Sequence, residues 1–215
     1  MPTSHFYQLP QILELILFTD PKTILDIGVG FGKYGFLSRE YLELWDDSHE
    51  YTKWQRRIDG IEVFEKYITP VHSFVYDKIY TGNALKVLPN LERCYDLVLL
   101  IDVLEHFDYA QGLAILQKIQ VIGRNIIVST PKDIGQREKF FENPFESHRF
   151  QWEKVHFKQI DKICFFRSKY SLVCYIGENA PRLRKAKFNK KIERCLPFVV
   201  SFIKRIKLLR DRGNK

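Results

Sequence analysis

The chain has 215 residues, 45% hydrophobic, 14% aromatic and 28% charged. A disordered chain could not keep that much aromatic surface out of water, and the length suits one large domain, the first expectation, or two small ones. Net charge is +8 but unevenly placed: residues 182–215 hold 13 Lys+Arg against Glu193 and Asp211, so this tail is +11 and the rest is −3. Nucleic-acid binding over the whole surface is therefore not implied. No apolar run reaches the ~20 residues of a membrane span. The N-terminus lacks a basic region before its apolar stretch, which Glu14 interrupts, so a secretory leader is not expected. Cys94, Cys164, Cys174 and Cys195 show neither a CxxC pair nor metal spacing and read as reduced thiols of a cytoplasmic protein.

In chain order, an opening helix over Leu9–Phe18 stops at Asp20-Pro21, because a residue before proline avoids the helical region. Thr23–Ile27 is a short branched apolar run and predicts a buried strand, followed by a helix from Gly32 to Leu44. Residues 45–57 are polar and Trp-bearing, the pattern of a surface insertion. Ile58–Val63 and Ile79–Thr81 predict the next two strands. Tyr95–Ile101 is continuously apolar, as in a strand covered on both faces. Asp108 with Gln111 forms a capping-box pattern opening a helix to Gly123, and Asn125–Ser129 is the next strand. Lys162–Arg167 and Tyr170–Ile176 lie close enough for an antiparallel hairpin at the sheet edge, and Pro181 is expected to end the compact part. Strands alternating with helices predict an α/β fold, a doubly wound, mostly parallel sheet with helices on both faces. A body over 1–180 and a basic amphipathic tail over 181–215 follow.

The strongest local signal is ILDIGVGFGKYG, residues 24–35, where a strand enters a glycine-rich turn and a helix leaves it. Glycines admit positive φ and let a ligand approach without a Cβ in the way. Gly30-x-Gly32-x-x-Gly35 matches the dinucleotide fingerprint. Asp26-x-Gly28-x-Gly30-x-Gly32 resembles instead motif I of the class I methyltransferases that use S-adenosylmethionine. Asp26 favours the second pattern: a carboxylate there repels a pyrophosphate but suits a cationic sulfonium with an amino group. Glu62, ending the second strand, can accept from ribose hydroxyls in either case.

The resemblance extends along the chain. IYTGNALKVLP (79–89) is similar to the family's third motif, with Asn83 where an acidic residue usually meets the adenine amino group. YDLVLLIDVLEHF (95–107) resembles motif IV, and IIVSTP (126–131) the strand after it. It implies a Rossmann-like methyltransferase fold binding S-adenosylmethionine through Asp26, Gly28, Gly30, Gly32, Glu62, Asn83 and Asp102. Oxygen methylation of a small-molecule, glycan or lipid-linked acceptor is the expected activity. RNA ribose methylation, an NAD-dependent oxidoreductase and a non-catalytic cofactor-binding subunit are the alternatives.

For the catalytic side, methyl transfer to a hydroxyl needs a held acceptor and a group to take its proton. His106, in DVLEH (102–106), and His148, in NPFESHRFQW (143–152), are the candidate bases. Asp102, Glu105, His106 and His148 also make a set of carboxylates and imidazoles that could hold a divalent metal. It resembles the acid/His set of small-RNA 2′-O-methyltransferases, with Asp102 one methylene shorter than the usual Glu. A loop that caps a helix and lines the cofactor pocket is the favoured reading of DVLEH over a metal site. His5, His49, His72 and His156 are expected to be surface or structural, and Trp152 core or pocket wall. After Pro197, Phe198, Val199, Phe202, Ile203, Ile206 and Leu209 lay an apolar stripe along a basic helix. Such a stripe suits the body or a second subunit first, an anionic membrane surface next, and RNA last.

Overall fold

The computed structural model describes residues 4–44, 53–135 and 143–195, with side chains of the last helix described as far as 187. Most of the expected insertion and the whole stripe after Pro197 lie outside the described residues. The elements are α1 (Leu9–Thr19), β1 (Thr23–Ile27), α2 (Lys33–Arg39), β2 (Arg57–Glu62), α3 (Pro70–Val75), β3 (Lys78–Thr81), α4 (Ala84–Val87), β4 (Tyr95–Ile101), α5 (Tyr109–Ile122), β5 (Gly123–Pro131), β6 (Ile163–Phe166), β7 (Ser171–Gly177) and α6 (Ala180–Cys195).

The strands form one sheet in the order β3-β2-β1-β4-β5-β7-β6. β1 to β5 run parallel, whereas β7 is antiparallel to both β5 and β6. The second strand of the hairpin, β7, inserts between β5 and β6, so the first, β6, becomes the edge. Alternate residues of β4 feed the two faces. Val98 and Leu100 pack with Leu116 and Ile119 of α5, while Leu97 and Leu99 pack with Ile12 and Ile16 of α1. A strand buried on both faces has to be apolar at every position, which is why YDLVLLI reads as a run.

The chain builds β1, β2 and β3 outward in one direction, then returns to place β4 on the other side of β1. That reversal leaves a crevice at the carboxyl ends of β1 and β4, where open α/β sheets take their ligands. α1 ends where predicted: Asp20 adopts the left-handed conformation (φ 46°) and its N–H donates to Ile16 O. α2 is shorter than the predicted helix, giving way to a wider π turn over Glu40–Leu44.

Pro181 corrects an expectation. It stands in the first turn of α6, where its missing N–H costs nothing, and does not end the packed structure. Ala180 and Leu183 are buried in the core. Arg184 donates to the carbonyls of Ile163 and Asp161, and Lys187 to that of Phe165. The first basic residues of the tail thus cover the exposed edge of β6, a sheet edge otherwise open to pairing. Among the described residues no helix is long and apolar enough to cross a membrane.

Candidate active site

The turn after β1 is built to expose backbone. Gly28, Gly30 and Gly32 take φ of 75°, 53° and 79°, in the left-handed region that a side chain disfavours. At Gly28 a Cβ would also stand 2.4 Å from a methyl of Val103, so the loop lies flat against the turn after β4. The turn is anchored from three sides. Gly28 N–H donates to Ile61 O at 2.8 Å, and Gly30 N–H to Glu62 Oε2 at 3.0 Å. From the third side, His72 Nε2 lies 2.8 Å from Gly30 O. Because His72 Nδ1 accepts from Thr69 N–H, the ring proton sits on Nε2 and donates to that carbonyl.

Gly35 has a different reason. A Cβ there would meet Tyr76 at 2.4 Å from Cζ, and one at Gly60 would press the same ring at 3.2 Å. The two glycines clear a channel through which the Tyr76 hydroxyl reaches Asp26 Oδ2 at 2.7 Å. Packing of one tyrosine therefore accounts for the third glycine of the dinucleotide-like pattern. Asp26 is 3% exposed. Burial pushes its carboxyl up to about 6; the Tyr76 hydrogen bond opposes that rise and the charge of Glu62 adds to it. An anion held this dry has much to gain from a cationic ligand.

A cavity of about 1000 Å³ opens over this turn. Asp26, Gly28, Gly30, Glu62, Asn83 and Asp102 line one part of it; Gly32, also expected there, contributes the bend that starts α2. Glu62 is buried, which raises its pKa, while the N–H groups of Phe64 and Gly30 hold the charge. Asn83 is the N-cap of α4, with Oδ1 accepting from Leu85 N–H at 2.9 Å. The cap identifies the oxygen, so the amide keeps its two N–H donors for a ligand. Where an acidic residue would accept, Asn83 donates.

The far part of the cavity is lined by Glu105, His106 and His148. One ligand atom of each lies within 4.8 Å of the others, and the two imidazoles stand 5.1 Å apart. Distant segments meet because residues 143–152 are stitched to the turn after β4. Arg149 and Phe150 N–H both donate to Glu105 O, and Trp152 Nε1 donates to Leu104 O at 3.1 Å. Trp152 is buried in the core as expected, over Gly112, whose bare Cα makes room for the indole.

His106 Nδ1 faces Ser147 O at 3.2 Å and His148 Nδ1 faces Ile134 O at 2.6 Å. A carbonyl can only accept, so each ring donates from Nδ1, and when the ring is neutral its lone pair is on Nε2. Burial holds the pKa of His106 below the ordinary imidazole value; the Ser147 carbonyl opposes this and the charge of His148 reinforces it. Asp102 stands apart from the three. It takes a left-handed backbone (φ 52°), and its carboxylate accepts from Ser129 Oγ at 2.7 Å and Gln8 Nε2 at 2.6 Å. The gathered acid/His set among the described residues is Glu105, His106 and His148.

Four contributors were not legible as site residues. His72 and Tyr76, on and just after α3, hold the glycine turn and Asp26. Lys33 and the segment Ser4–Gln8 close the cavity's near side, with Lys33 Nζ donating to Ser4 O and Ser4 Oγ, both at 3.1 Å. The Thr69-Pro70 helix start foretells that His72 caps α3, but no local signal points to Gly30, 42 positions away.

No family model and no curated protein matches the chain. Solved structures do match its fold. The methyltransferase domain of a bacterial CtHen1 is 19% identical, with a TM-score of 0.53 over 80% of this chain and 98% of that one. Magnesium protoporphyrin IX methyltransferase (ChlM) from Synechocystis PCC 6803, with bound SAM, is 14% identical, with a TM-score of 0.53 over 80% of this chain and 78% of that one. The plantazolicin methyltransferase BamL, in complex with SAH, is 13% identical, with a TM-score of 0.53 over 80% and 88%. At such identities the shared property is the fold, that of the class I S-adenosylmethionine-dependent methyltransferases.

Proposed function

From that fold, we propose that the chain is an S-adenosylmethionine-dependent methyltransferase acting on a hydroxyl of a small-molecule, glycan or lipid-linked acceptor. One observation carries the reading. A single cavity joins a buried carboxylate beside a bare glycine turn to a pair of imidazoles whose Nδ1–H groups are each held by a backbone carbonyl.

The residues fit the cofactor's chemistry. Gly28 and Gly30 offer backbone without Cβ, Gly32 supplies the bend that starts α2, and Asp26 gains from a positive neighbour. Glu62 can accept from two hydroxyls while it holds the turn, and Asn83 donates to an adenine ring nitrogen. When bound, the cofactor supplies an electrophilic methyl group. The chain's part is to orient the acceptor and take its proton: His106, kept neutral by burial, accepts at Nε2, and His148 beside it can hold the same hydroxyl. The loop from 143 to 152 and the start of the chain, Ser4 to Phe6, wall the cavity on two sides.

A second reading is favoured by the clustering of Glu105, His106 and His148. Imidazoles whose Nδ1–H donates to a backbone carbonyl are also the ligands that metal sites use. One carboxylate and two imidazoles suit Mn²⁺, Fe²⁺ or Co²⁺. Those residues would then hold a cation that polarises the acceptor hydroxyl.

The test is calorimetry followed by transfer. S-adenosylmethionine or its demethylated product should bind and NAD should not. Methyl-labelled cofactor incubated with cell extract should then place label in a lipid, glycan or small-molecule fraction. Label confined to a ribonuclease-sensitive fraction would move the acceptor to RNA, and binding of NAD in place of the methyl donor would end the proposal. Chelation separates the catalytic readings: loss of turnover restored by Mn²⁺ supports the metal, and no effect supports histidine alone.

A further inference from the structure

The floor and the rim of the cavity differ in chemistry. Asp26, Glu62, Glu105 and Glu146, acids of its wall, are buried. The rim is aromatic. Phe6 and Phe31 are 66% and 63% exposed, and Phe145 and Tyr170 are 41% and 40% exposed. Each comes from a different segment: the N-terminal strap Ser4–Gln8, the glycine turn, the loop 143–152 and the β6–β7 turn. The rings are held from the side, with their faces left open. Phe6 stacks on Tyr7 with centroids 4.2 Å apart, Tyr170 lies 4.7 Å from His5, and Phe31 faces Tyr67 at 6.3 Å. Lys132, Arg149 and Lys169 stand exposed on the same wall, against one exposed acid, Asp133.

Single exposed apolar side chains are ordinary, but four converging on one opening mark a contact surface. A small polar acceptor would make its contacts inside the cavity and leave this rim in water. An amphiphile would use both, its polar head entering while its apolar part stays against the rings. Aromatic and basic side chains side by side are the composition that meets an anionic bilayer. Lys169 shows the pairing directly, its Nζ lying 4.8 Å from the centre of the Tyr170 ring.

The course of α6 brings the tail to the same end of the sheet. β7 ends at Gly177 opposite Asn125, near the amino ends of the parallel strands. From there α6 climbs beside β6, with Arg184 at the carbonyls of Asp161 and Ile163 and Lys187 at that of Phe165. Residues 188–195 extend the helix by about 12 Å toward the carboxyl ends, where the cavity opens. The basic, apolar-striped sequence of 198–209 follows.

We propose that the acceptor is a membrane lipid with an anionic headgroup, taken from a bilayer on which the rim of Phe6, Phe31, Phe145 and Tyr170 rests. Lys132, Arg149 and Lys169 face the headgroups, and the acceptor hydroxyl passes between the rings toward His106 and His148. The assignment rests on the methyltransferase reading above and narrows its acceptor to one class. The balance is that of any hydroxyl acceptor: the oxygen gains the methyl group that sulfur loses, and its proton passes to a histidine Nε2. Rim and tail act together, since stable membrane contact takes two such signals.

The test uses the full chain, methyl-labelled S-adenosylmethionine and vesicles made from the total lipid extract of cells, beside the lipid-free soluble extract. Label is expected in the vesicles, in a lipid retained by an anion exchanger, and added salt should reduce its transfer. Phe6→Ser and Phe145→Ser in one chain should lower that transfer about 10- to 100-fold, the loss of two rings from the contact. Affinity for S-adenosylhomocysteine by calorimetry should stay within about twofold, which also shows that the variant is folded. Label absent from the vesicles, or in a lipid that passes the exchanger, overturns the acceptor class. Undiminished transfer by the double variant overturns the part given to the rim. In each case S-adenosylhomocysteine binding by the wild type leaves the cofactor reading standing, and its failure to bind would end both.

Discussion

Asp26 lets the electrostatics of the site be tested without knowing the acceptor. Its carboxyl is raised from an ordinary 3.8 to about 6, chiefly by burial. Between those values the folded chain keeps a proton that the unfolded chain has released, so this group's contribution to stability falls as pH rises through that window. At 1.36 kcal/mol per pH step, the destabilisation reaches about 3 kcal/mol above pH 6 and stays there. Asp26→Asn removes the charge but keeps an oxygen for the Tyr76 hydroxyl. At pH 7.5 the variant should therefore be more stable than wild type by up to ~3 kcal/mol, a rise in melting temperature of about 6–12 °C for a domain of this size. The gap should close as pH is lowered toward 4, where both side chains are neutral. Affinity for S-adenosylmethionine should fall at the same time, because its positive charge loses a nearby anion. Urea unfolding across pH 4.5–7.5 with calorimetry at pH 7.5 measures both. A variant no more stable than wild type, or a gap that does not change with pH, would show that Asp26 is not the strained anion inferred here.

The other predictions concern neighbouring parts of the site. Gly35→Ala lies within α2, where alanine should gain about 1 kcal/mol by helix propensity. The clash with Tyr76 should instead make it destabilising by ~1–3 kcal/mol, and a stabilised variant in chemical denaturation would refute the packing argument. His72→Phe leaves Gly30 O without its donor; a stability loss of ~1–3 kcal/mol with weaker cofactor binding is expected, and unchanged affinity would remove His72 from loop positioning. His106→Ala or His148→Ala should lower turnover by ~10²–10⁴ with the cofactor still bound, and wild-type turnover should fall as pH drops through the lowered pKa of His106. Full activity of both variants after chelation would take the pair out of the mechanism. For the tail, full-length protein should sediment with anionic liposomes at low salt, and deletion of 196–215 should abolish this while cofactor binding persists; sedimentation unaffected by the deletion would place the contact elsewhere.

The elements and the glycine turn were legible because each rests on local chemistry. A strand covered on both faces has to be apolar throughout, and Tyr95–Ile101 shows it in one line of sequence. The turn of residues 28–32 needs positive φ at alternate positions, which only glycine supplies cheaply. Asp108 and Gln111 mark the start of α5 because a capping box spans a single helical turn. Proline was less reliable: Pro181 reads as a stop, but it suits a first helical turn equally well, and the burial of Leu183 beyond it depends on β6. Sequence could bring Glu105, His106 and His148 forward as candidates by type. It could not tell that Asp102 turns to Gln8 and Ser129 while His148 joins the other two, since that depends on a loop 40 residues away stitching itself to Glu105 O. The same limit applies to His72, Tyr76 and Lys33. Each acts on the site through a partner far along the chain, and only the folded sheet, by setting α3 beside the glycine turn and the N-terminal strap over α2, decides which side chains share the cavity.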